Sequence, residues 1–355
     1  MTRERVACEY NEYKLFTGCN MKPKCLVLVS GGLDSQLAIG LMQRHDIDVE
    51  GVSFFSSFSG GIKEGKMGYW VGQAARHFNI RMHYVLLRGS FVEMVRNPHS
   101  GYGSAINPCI DCKVLMLQKA HDLFSATGAS FVATGEVIGQ RPMSQVKQAL
   151  STIEKRSGLE GQIVRPLSGK ILEATIPEKE GIITRDLFED ISGRARNRQV
   201  ALARDFDLTR YPQPAGGCIL TDKNYALRLT DAFTHGVSSE KEYIALQCGR
   251  LYRIDEKTKA ILGRNERECD MLLSLAEPDD TILLLAQELP GPLVLLKGMP
   301  SAEVLMRAGQ LVKQFSKQKT SDQTDIVYFN KKRNERKTMS VASIDEGLLA
   351  SFLVV

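Results

Sequence analysis

The sequence predicts an α/β protein built on a doubly wound parallel sheet, with a smaller α+β unit toward its C-terminal end. Three observations carry this. Short apolar runs alternate with helical stretches from Lys24 to about Val164, and strand–helix alternation is the pattern of a parallel sheet. A glycine-rich hexapeptide, Ser30-Gly31-Gly32-Leu33-Asp34-Ser35, stands directly after the first apolar run and before the first helical one. Beyond about Ala232 the alternation gives way to short strands around one helix. At 355 residues the chain exceeds the ~250–300 at which single cores stop growing. The expected division is an extension over 1–21, an α/β domain over 22–178, a basic connecting segment over 179–231, and a second domain over 232–355.

Taken in order, residues 1 to about 20 are polar, and Cys8 and Cys19 lie there without metal-like spacing. A strand at Cys25–Val29 leads to a helix from Ser35 to Arg44. A strand at Val49–Phe54 and a long polar segment precede a helix over Trp70–Phe78, and Arg81–Leu87 is the third strand. Val114, Leu115, Leu117, Ala120, Leu123 and Phe124 recur with the helical period and predict one helix from Cys112 to Thr127. Phe131–Ala133 is a short buried strand, and Ile163–Ser168 a last strand with its exit. In the second unit the expected strands are Ile282–Ala286, Leu293–Leu296 and Asp325–Phe329, with a helix at Ala302–Phe315 and a basic hairpin over Lys331–Lys337.

Composition narrows the setting. A hydrophobic fraction of 43% with 25% charged residues is that of an ordinary globular chain. No apolar run approaches the ~20 residues that span a bilayer, and the first residues lack the apolar core of a signal peptide. The expected location is the cytoplasm, where eight cysteines are more readily thiols, metal ligands or buried apolar residues than a disulfide framework. A net charge of +5 permits an anionic partner such as RNA without requiring one.

The hexapeptide has the form of a phosphate cradle. Its glycines let the backbone approach an anion, and the first N–H groups of the following helix point at it with the positive end of the dipole. Asp34 inside such a loop is costly without a cation, which points to Mg²⁺ beside a nucleotide. The plainer reading is an ordinary tight turn. In a doubly wound sheet the ligand sits at the carboxyl ends of the strands, where Asn107–Lys113 and Thr134–Gln145 also fall. Cys109 and Cys112 form Cys-x-x-Cys at a helix start, where the dipole favours the thiolate, and Cys218 lies in a Pro/Gly-rich turn over Tyr211–Asp222. With no second pair to complete four ligands, a closed zinc site fits poorly. Two readings stay open: Cys112 and Cys218 as a persulfide-carrying and a resolving thiol, or Cys109, Cys112 and Cys218 as ligands of a 4Fe–4S cluster with one iron open. The run Arg194, Arg196, Arg198, Arg204 reads either as a solvated helix face or as a phosphate contact.

Ser-Gly-Gly-x-Asp-Ser after a first strand resembles the PP-loop of the ATP pyrophosphatase superfamily, with its adenine nucleotide α-hydrolase-like fold. Ser30–Ser35, Asn107–Cys112 and Ala215–Cys218 resemble the tRNA 2-thiouridine synthetases, whose Asn-Pro-x-x-x-Cys and Gly-x-Cys-Phe motifs carry two sulfur-handling cysteines. Thr134–Gln145 resembles a stretch of the 4-thiouridine synthetases, and the cysteine triplet resembles cluster-binding tRNA thiolases. Gly249–Ile254 with Ile261–Glu266 is similar to the RNA-binding domain of NFACT-type proteins. The resemblance implies a tRNA-uridine sulfurtransferase. ATP would be held by Ser30, Gly31, Gly32, Asp34 and Ser35, with Gly135 near the same phosphate. The chemistry would fall to Cys112, Cys218 and Cys109, and the partners would be tRNA and a sulfur donor, a persulfide carrier protein or sulfide. An amide-forming adenylating ligase and a non-catalytic RNA-binding protein are the alternatives.

Overall fold

The structure, a computed structural model, describes residues 22–59, 68–212, 218–237, 239–286, 291–330 and 332–355. The 1–21 extension with Cys8 and Cys19, and Gln213–Gly217 of the turn before Cys218, lie outside them.

The first domain runs β1 (Lys24–Leu28), α1 (Leu33–Gln43), β2 (Asp48–Phe55), α2 (Tyr69–Phe78), β3 (Arg81–Leu86), α3 (Gly89–Arg96), α4 (Cys109–His121), α5 (Phe124–Thr127), β4 (Phe131–Thr134), α6 (Lys147–Ser157), β5 (Ile163–Val164) and α7 (Ile176–Lys179). The strands are all parallel, in the order β3-β2-β1-β4-β5. Both faces are covered, and β1 shows why its sequence is apolar throughout. Cys25, Val27 and Val29 enter one core with α1 residues Leu37 and Leu41, while Leu26 and Leu28 enter the opposite core with Val114, Leu117 and Ile153. A strand buried on both sides needs a continuous apolar run rather than alternation. Each fully buried leucine contributes about 1.5–3 kcal/mol.

The chain steps outward from β1 to β3 and then returns to lay β4 against β1. That reversal opens a crevice between the carboxyl ends of β1 and β4, the ligand position of such sheets.

The single helix expected over Cys112–Thr127 is two. It starts earlier, at Cys109, and breaks between His121 and Phe124. α3 and α6 were not legible: α3 is short, and α6 carries a mostly polar sequence whose buried residues are few.

The remaining elements are α8 (Asn197–Asp205), α9 (Lys223–Thr234), α10 (Glu240–Ala245), β6 (Arg250–Arg253), β7 (Lys259–Gly263), α11 (Glu266–Leu275), β8 (Thr281–Leu285), β9 (Leu293–Lys297), α12 (Ala302–Gln314), β10 (Gln323–Asn330), β11 (Glu335–Ala342) and α13 (Glu346–Phe352). β6 to β11 form an antiparallel sheet in the order β11-β10-β8-β9-β7-β6. One face is covered by Val304, Ala308, Leu311 and Val312 of α12. The other face, through Leu251, Ile261, Ile282, Leu293 and Leu295, shares a core with Phe58, Leu87, Phe91, Val95 and Ile106 of the first domain. The second sheet is therefore packed onto the first domain rather than tethered beside it. Gln247 Nε2 donates across the join to the Ser57 carbonyl and Arg96 to that of Val237, while Arg228 of α9 ties the connecting segment to the second unit through the carbonyls of Leu246, Cys248, Gly249 and Val355.

Candidate active site

The hexapeptide sits at the mouth of the β1/β4 crevice. Gly31 adopts φ +80°, and a Cβ there would stand 2.7 Å from Cβ of Trp70 and 3.0 Å from the Val71 nitrogen at the start of α2. Gly32 precedes α1 with no side-chain cap, so the first N–H groups of that helix are left for a ligand. The loop is braced from inside. Ser35 Oγ donates to the Gly32 carbonyl at 2.8 Å, and Gln36 Nε2 to that of Gly31 at 2.9 Å. Ser30 Oγ accepts from the Gly32 N–H at 3.3 Å. Gly135, directly after β4, is where the opposite wall touches the loop: a Cβ there would be 2.5 Å from the Asp34 carbonyl and 2.6 Å from the Ser35 nitrogen. All six expected loop residues thus line one crevice.

Asp34 already has a cation, and it belongs to the protein. Its Oδ2 accepts from Arg196 Nη2 at 3.2 Å and from Gln140 Nε2 at 3.1 Å, while Oδ1 is buried without a hydrogen-bond partner. An orphaned carboxylate oxygen facing a phosphate cradle fits a divalent cation, which typically takes one or two carboxylates and completes its shell with phosphate and water.

The arginine run divides accordingly. Arg196 is held at Asp34 and Arg198 on Glu189, at 2.8 and 2.9 Å, so neither a purely solvated face nor a free phosphate patch describes it. Arg196 was missed because 162 residues separate it from Asp34; its only sequence signal was membership of the basic run.

The loop after β4 spans from the hexapeptide to the cysteines. Gln140 reaches Asp34, the charge of Arg141 is felt at Cys218, and Met143 packs against Gly103 beside Asn107. Cys109 and Cys112 open α4, with Pro108 as its cap residue. Asp111, between them, is 4% exposed and tied to Ser100 and to Arg156 at 2.7 Å, which fixes the helix start. Cys218 arrives through Leu220, whose carbonyl accepts from the Ile106 N–H at 3.1 Å and whose side chain enters the inter-domain core.

Next to Cys112, Lys113 lies 3.4 Å from Glu136, which also accepts from Arg165 at 3.1 Å and from the Thr134 hydroxyl at 3.2 Å. Arg165 also pairs with Glu154. Burial alone would raise the Glu136 carboxyl, but Lys113 and Arg165 outweigh it and hold the group below the usual carboxylate range. This chain joins the helix carrying Cys112 to the segment carrying Gly135. The motifs gave Glu136 no separate role, because its partners are remote in sequence.

At Cys112 burial works against the thiolate that the helix start favours. Burial pushes this thiol up to about 12; the nearby Cys218, the next largest effect, raises it further, and Lys113 opposes. The helix dipole is worth a fraction of a unit at best beside desolvation of this size. Burial also raises Cys218, against the opposing pull of the Leu220 backbone and Arg141. The three cysteines are close enough to feel one another's charge. Yet among the described residues no three Cys, His, Asp or Glu side chains are grouped to hold a metal ion.

Comparison with known proteins agrees with this layout. Residues 20–187 match the family model for thiamine biosynthesis protein (ThiI), and residues 249–353 the model for the NFACT protein RNA binding domain. The tRNA-specific 2-thiouridylase MnmA 1 of Aliarcobacter butzleri (strain RM4018) is 29% identical over 119 residues, 32% of this chain and 34% of that protein. The probable tRNA sulfurtransferase of Thermococcus kodakarensis (strain ATCC BAA-918 / JCM 12380 / KOD1) is 25% identical over 164 residues, 46% of this chain and 42% of that protein. The chain thus spans about a third to two fifths of the length of these curated relatives. A crystal structure of a 4-thiouridine synthetase–RNA complex with bound ATP is 24% identical over 52% of each chain, with a TM-score of 0.34. This chain therefore joins a PP-loop domain like that of thiamine biosynthesis protein (ThiI) to a domain like the NFACT protein RNA binding domain.

Proposed function

We propose that this chain is an ATP-dependent tRNA sulfurtransferase of the cytoplasm. It adenylates a uridine carbonyl oxygen and replaces that oxygen with sulfur. The observation that carries the reading is the joining of two half-sites by one loop. Residues 134–145 touch the phosphate cradle through Gly135 and Gln140 and approach Cys218 through Arg141. ATP would lie with its phosphates against Ser30, Gly31, Gly32, Ser35 and Gly135. Asp34 Oδ1 would hold Mg²⁺, whose contribution there is to neutralise charge on the leaving pyrophosphate.

The uridine oxygen attacks the α-phosphorus, the bond to the β-phosphate oxygen breaks, and pyrophosphate leaves with its electron pair. The adenylated oxygen is then a good leaving group, which a carbonyl oxygen is not. The terminal sulfur of a persulfide on Cys112 attacks the activated carbon and AMP departs. Cys218 next attacks the Cys112 sulfur, forming a Cys112–Cys218 disulfide and leaving the thiocarbonyl on the base. An external thiol reduces the disulfide before the next turnover. The second domain, which matches the NFACT protein RNA binding domain, would grip the tRNA. A persulfide carrier protein would supply the sulfur, its outer sulfur passing to the Cys112 thiolate while the carrier's own thiol leaves; sulfide would serve only if Cys109, Cys112 and Cys218 held a 4Fe–4S cluster.

The test uses the full chain with ATP, a persulfide source and unmodified tRNA, with nucleosides read by mass spectrometry. Wild-type protein yields thiouridine. Cys112→Ala yields none while its ATP affinity stays at the wild-type level. Thiolation at the normal rate by Cys112→Ala would sink the mechanism.

A further inference from the structure

The connecting segment places a third helix start at the nucleotide crevice. α8 runs alongside α1 in the same direction. At one end Arg196, its N-cap residue, reaches Asp34 in the first turn of α1. At the other, the ring of its C-cap residue Phe206 fills the space over Gly40, and Arg44 lies 4.1 Å above that ring. The two helices therefore begin at the same sheet edge. Neither has a side-chain cap, nor has α2, whose Val71 nitrogen faces Gly31. Three sets of uncapped N–H groups, each at the positive end of a helix dipole, converge on one crevice.

A second observation points to a ligand there. Gln199, in the first turn of α8, is 0% exposed, and neither its amide nitrogen nor its amide oxygen has a partner. It shares the buried face of Leu202 and Ala203, one turn nearer the helix start. Helical side chains lean toward the N-terminus, so the Gln199 amide leans toward Arg196 and the crevice. A buried amide with both groups unmet is costly, unless something polar meets it. Arg196, at the same helix start and bonded to Asp34, carries a guanidinium whose planar fork matches phosphate oxygens. All of these residues lie beyond the 20–187 match to the thiamine biosynthesis protein (ThiI) model.

We propose that the start of α8, with Arg196 and Gln199, forms a third wall of the nucleotide site, binding the polyphosphate of ATP and holding pyrophosphate as it leaves. This rests on the reading of the Ser30–Ser35 crevice as an ATP site. Asp34 then has two tasks at once: Oδ1 takes the cation and Oδ2 aims Arg196 at the phosphates. No covalent step is added.

The experiment is isothermal titration of the full chain with ATP, AMP and pyrophosphate, each with Mg²⁺. Arg196→Gln removes a charge-assisted contact, so ATP and pyrophosphate should bind about 10- to 100-fold more weakly. AMP should be nearly unaffected, and Arg196→Lys should recover part of the loss. Asp34→Asn separates a phosphate contact from mere neutralisation of Asp34: adding Arg196→Gln in that background still weakens pyrophosphate binding. Unchanged pyrophosphate affinity in Arg196→Gln overturns the proposal. So does an equal loss of AMP and pyrophosphate, or no further loss in the Asp34→Asn background. A wild-type chain that binds neither ATP nor pyrophosphate overturns the underlying nucleotide reading, and the proposal with it.

Discussion

Around Ser30–Ser35 the chain is held by close backbone approaches and by side-chain bonds within the loop, with Gln140 and Arg196 reaching in from afar only at Asp34. Gly31 lets the start of α2 approach the loop and Gly135 lets the exit of β4 approach it, and the bracing bonds of Ser35 and Gln36 end on carbonyls of the same loop. Around Cys109, Cys112 and Cys218 the positions are set by side chains from distant segments. Asp111 meets Arg156, Lys113 meets Glu136, and Leu220 is drawn into a core shared with the second sheet. The first region leaves the first N–H groups of α1 without a side-chain cap. In the second, burial disfavours the Cys112 thiolate, and Cys218 is placed through Leu220, whose side chain enters the core shared with the second unit. On the proposed reading, the nucleotide cradle would be preorganised for charge, while the sulfur half would draw on contacts with the second unit.

Two substitutions break that contrast from opposite sides. Arg165→Met strikes the sulfur half, since it leaves the buried Glu136 and the half-buried Glu154 with one cation fewer; losing one partner of a buried pair costs about 3–5 kcal/mol. Chemical denaturation at pH 7 measures it. The pH profile supplies the sign. The Glu136 carboxyl is depressed in the folded chain, so its contribution is present above the unfolded carboxylate value of ~4.3 and is lost as pH falls through the folded value. Arg165→Met should flatten that acid limb, and an unchanged limb would remove Glu136 from the account.

Gly135→Ala strikes the nucleotide half. Its methyl meets backbone on the Asp34 side that no rotamer change can move, so overpacking of about 1–3 kcal/mol is expected. ATP binding falls with it while alkylation of the cysteines is unaltered. Full ATP affinity in this variant would mean that the β4 exit is not a wall of the site.

What the sequence made legible follows the same division. β1, its loop and α1 are contiguous, so apolar runs, glycines and helical period name them directly. The strands at Ile282, Leu293 and Asp325 were readable because each is a run of apolar or alternating residues that the sheet uses whole. The Gly249 and Ile261 segments were noticed only as motifs, yet form β6 and β7, short strands whose pairing partners are supplied by the fold. Arg196 at Asp34, Lys113 at Glu136 and the sharing of a core between the two sheets are long-range contacts, and no local pattern encodes their separation. The burial that opposes a thiolate at Cys112 was illegible for a related reason. The dipole is a local property of α4, whereas the desolvation that outweighs it comes from packing against distant segments.

The smallest effect is kinetic and concerns Cys112 itself. A solvent-exposed thiol ionises near ~8.5, and its alkylation rate levels above that value. Cys112 is pushed up to about 12 by burial, with Cys218 adding to it. Only the thiolate reacts, so iodoacetamide labelling of Cys112, followed by peptide mass spectrometry after timed pulses, should be slow at pH 7 and keep climbing through pH 10 without a plateau. Lys113 is the nearby charge that opposes the shift, so Lys113→Met should slow labelling further at every pH in that range. A plateau near pH 8–9 would show that Cys112 meets solvent as freely as a peptide thiol. In that case the domain packing would not govern the sulfur half, and the contrast with the nucleotide cradle would reduce to geometry alone.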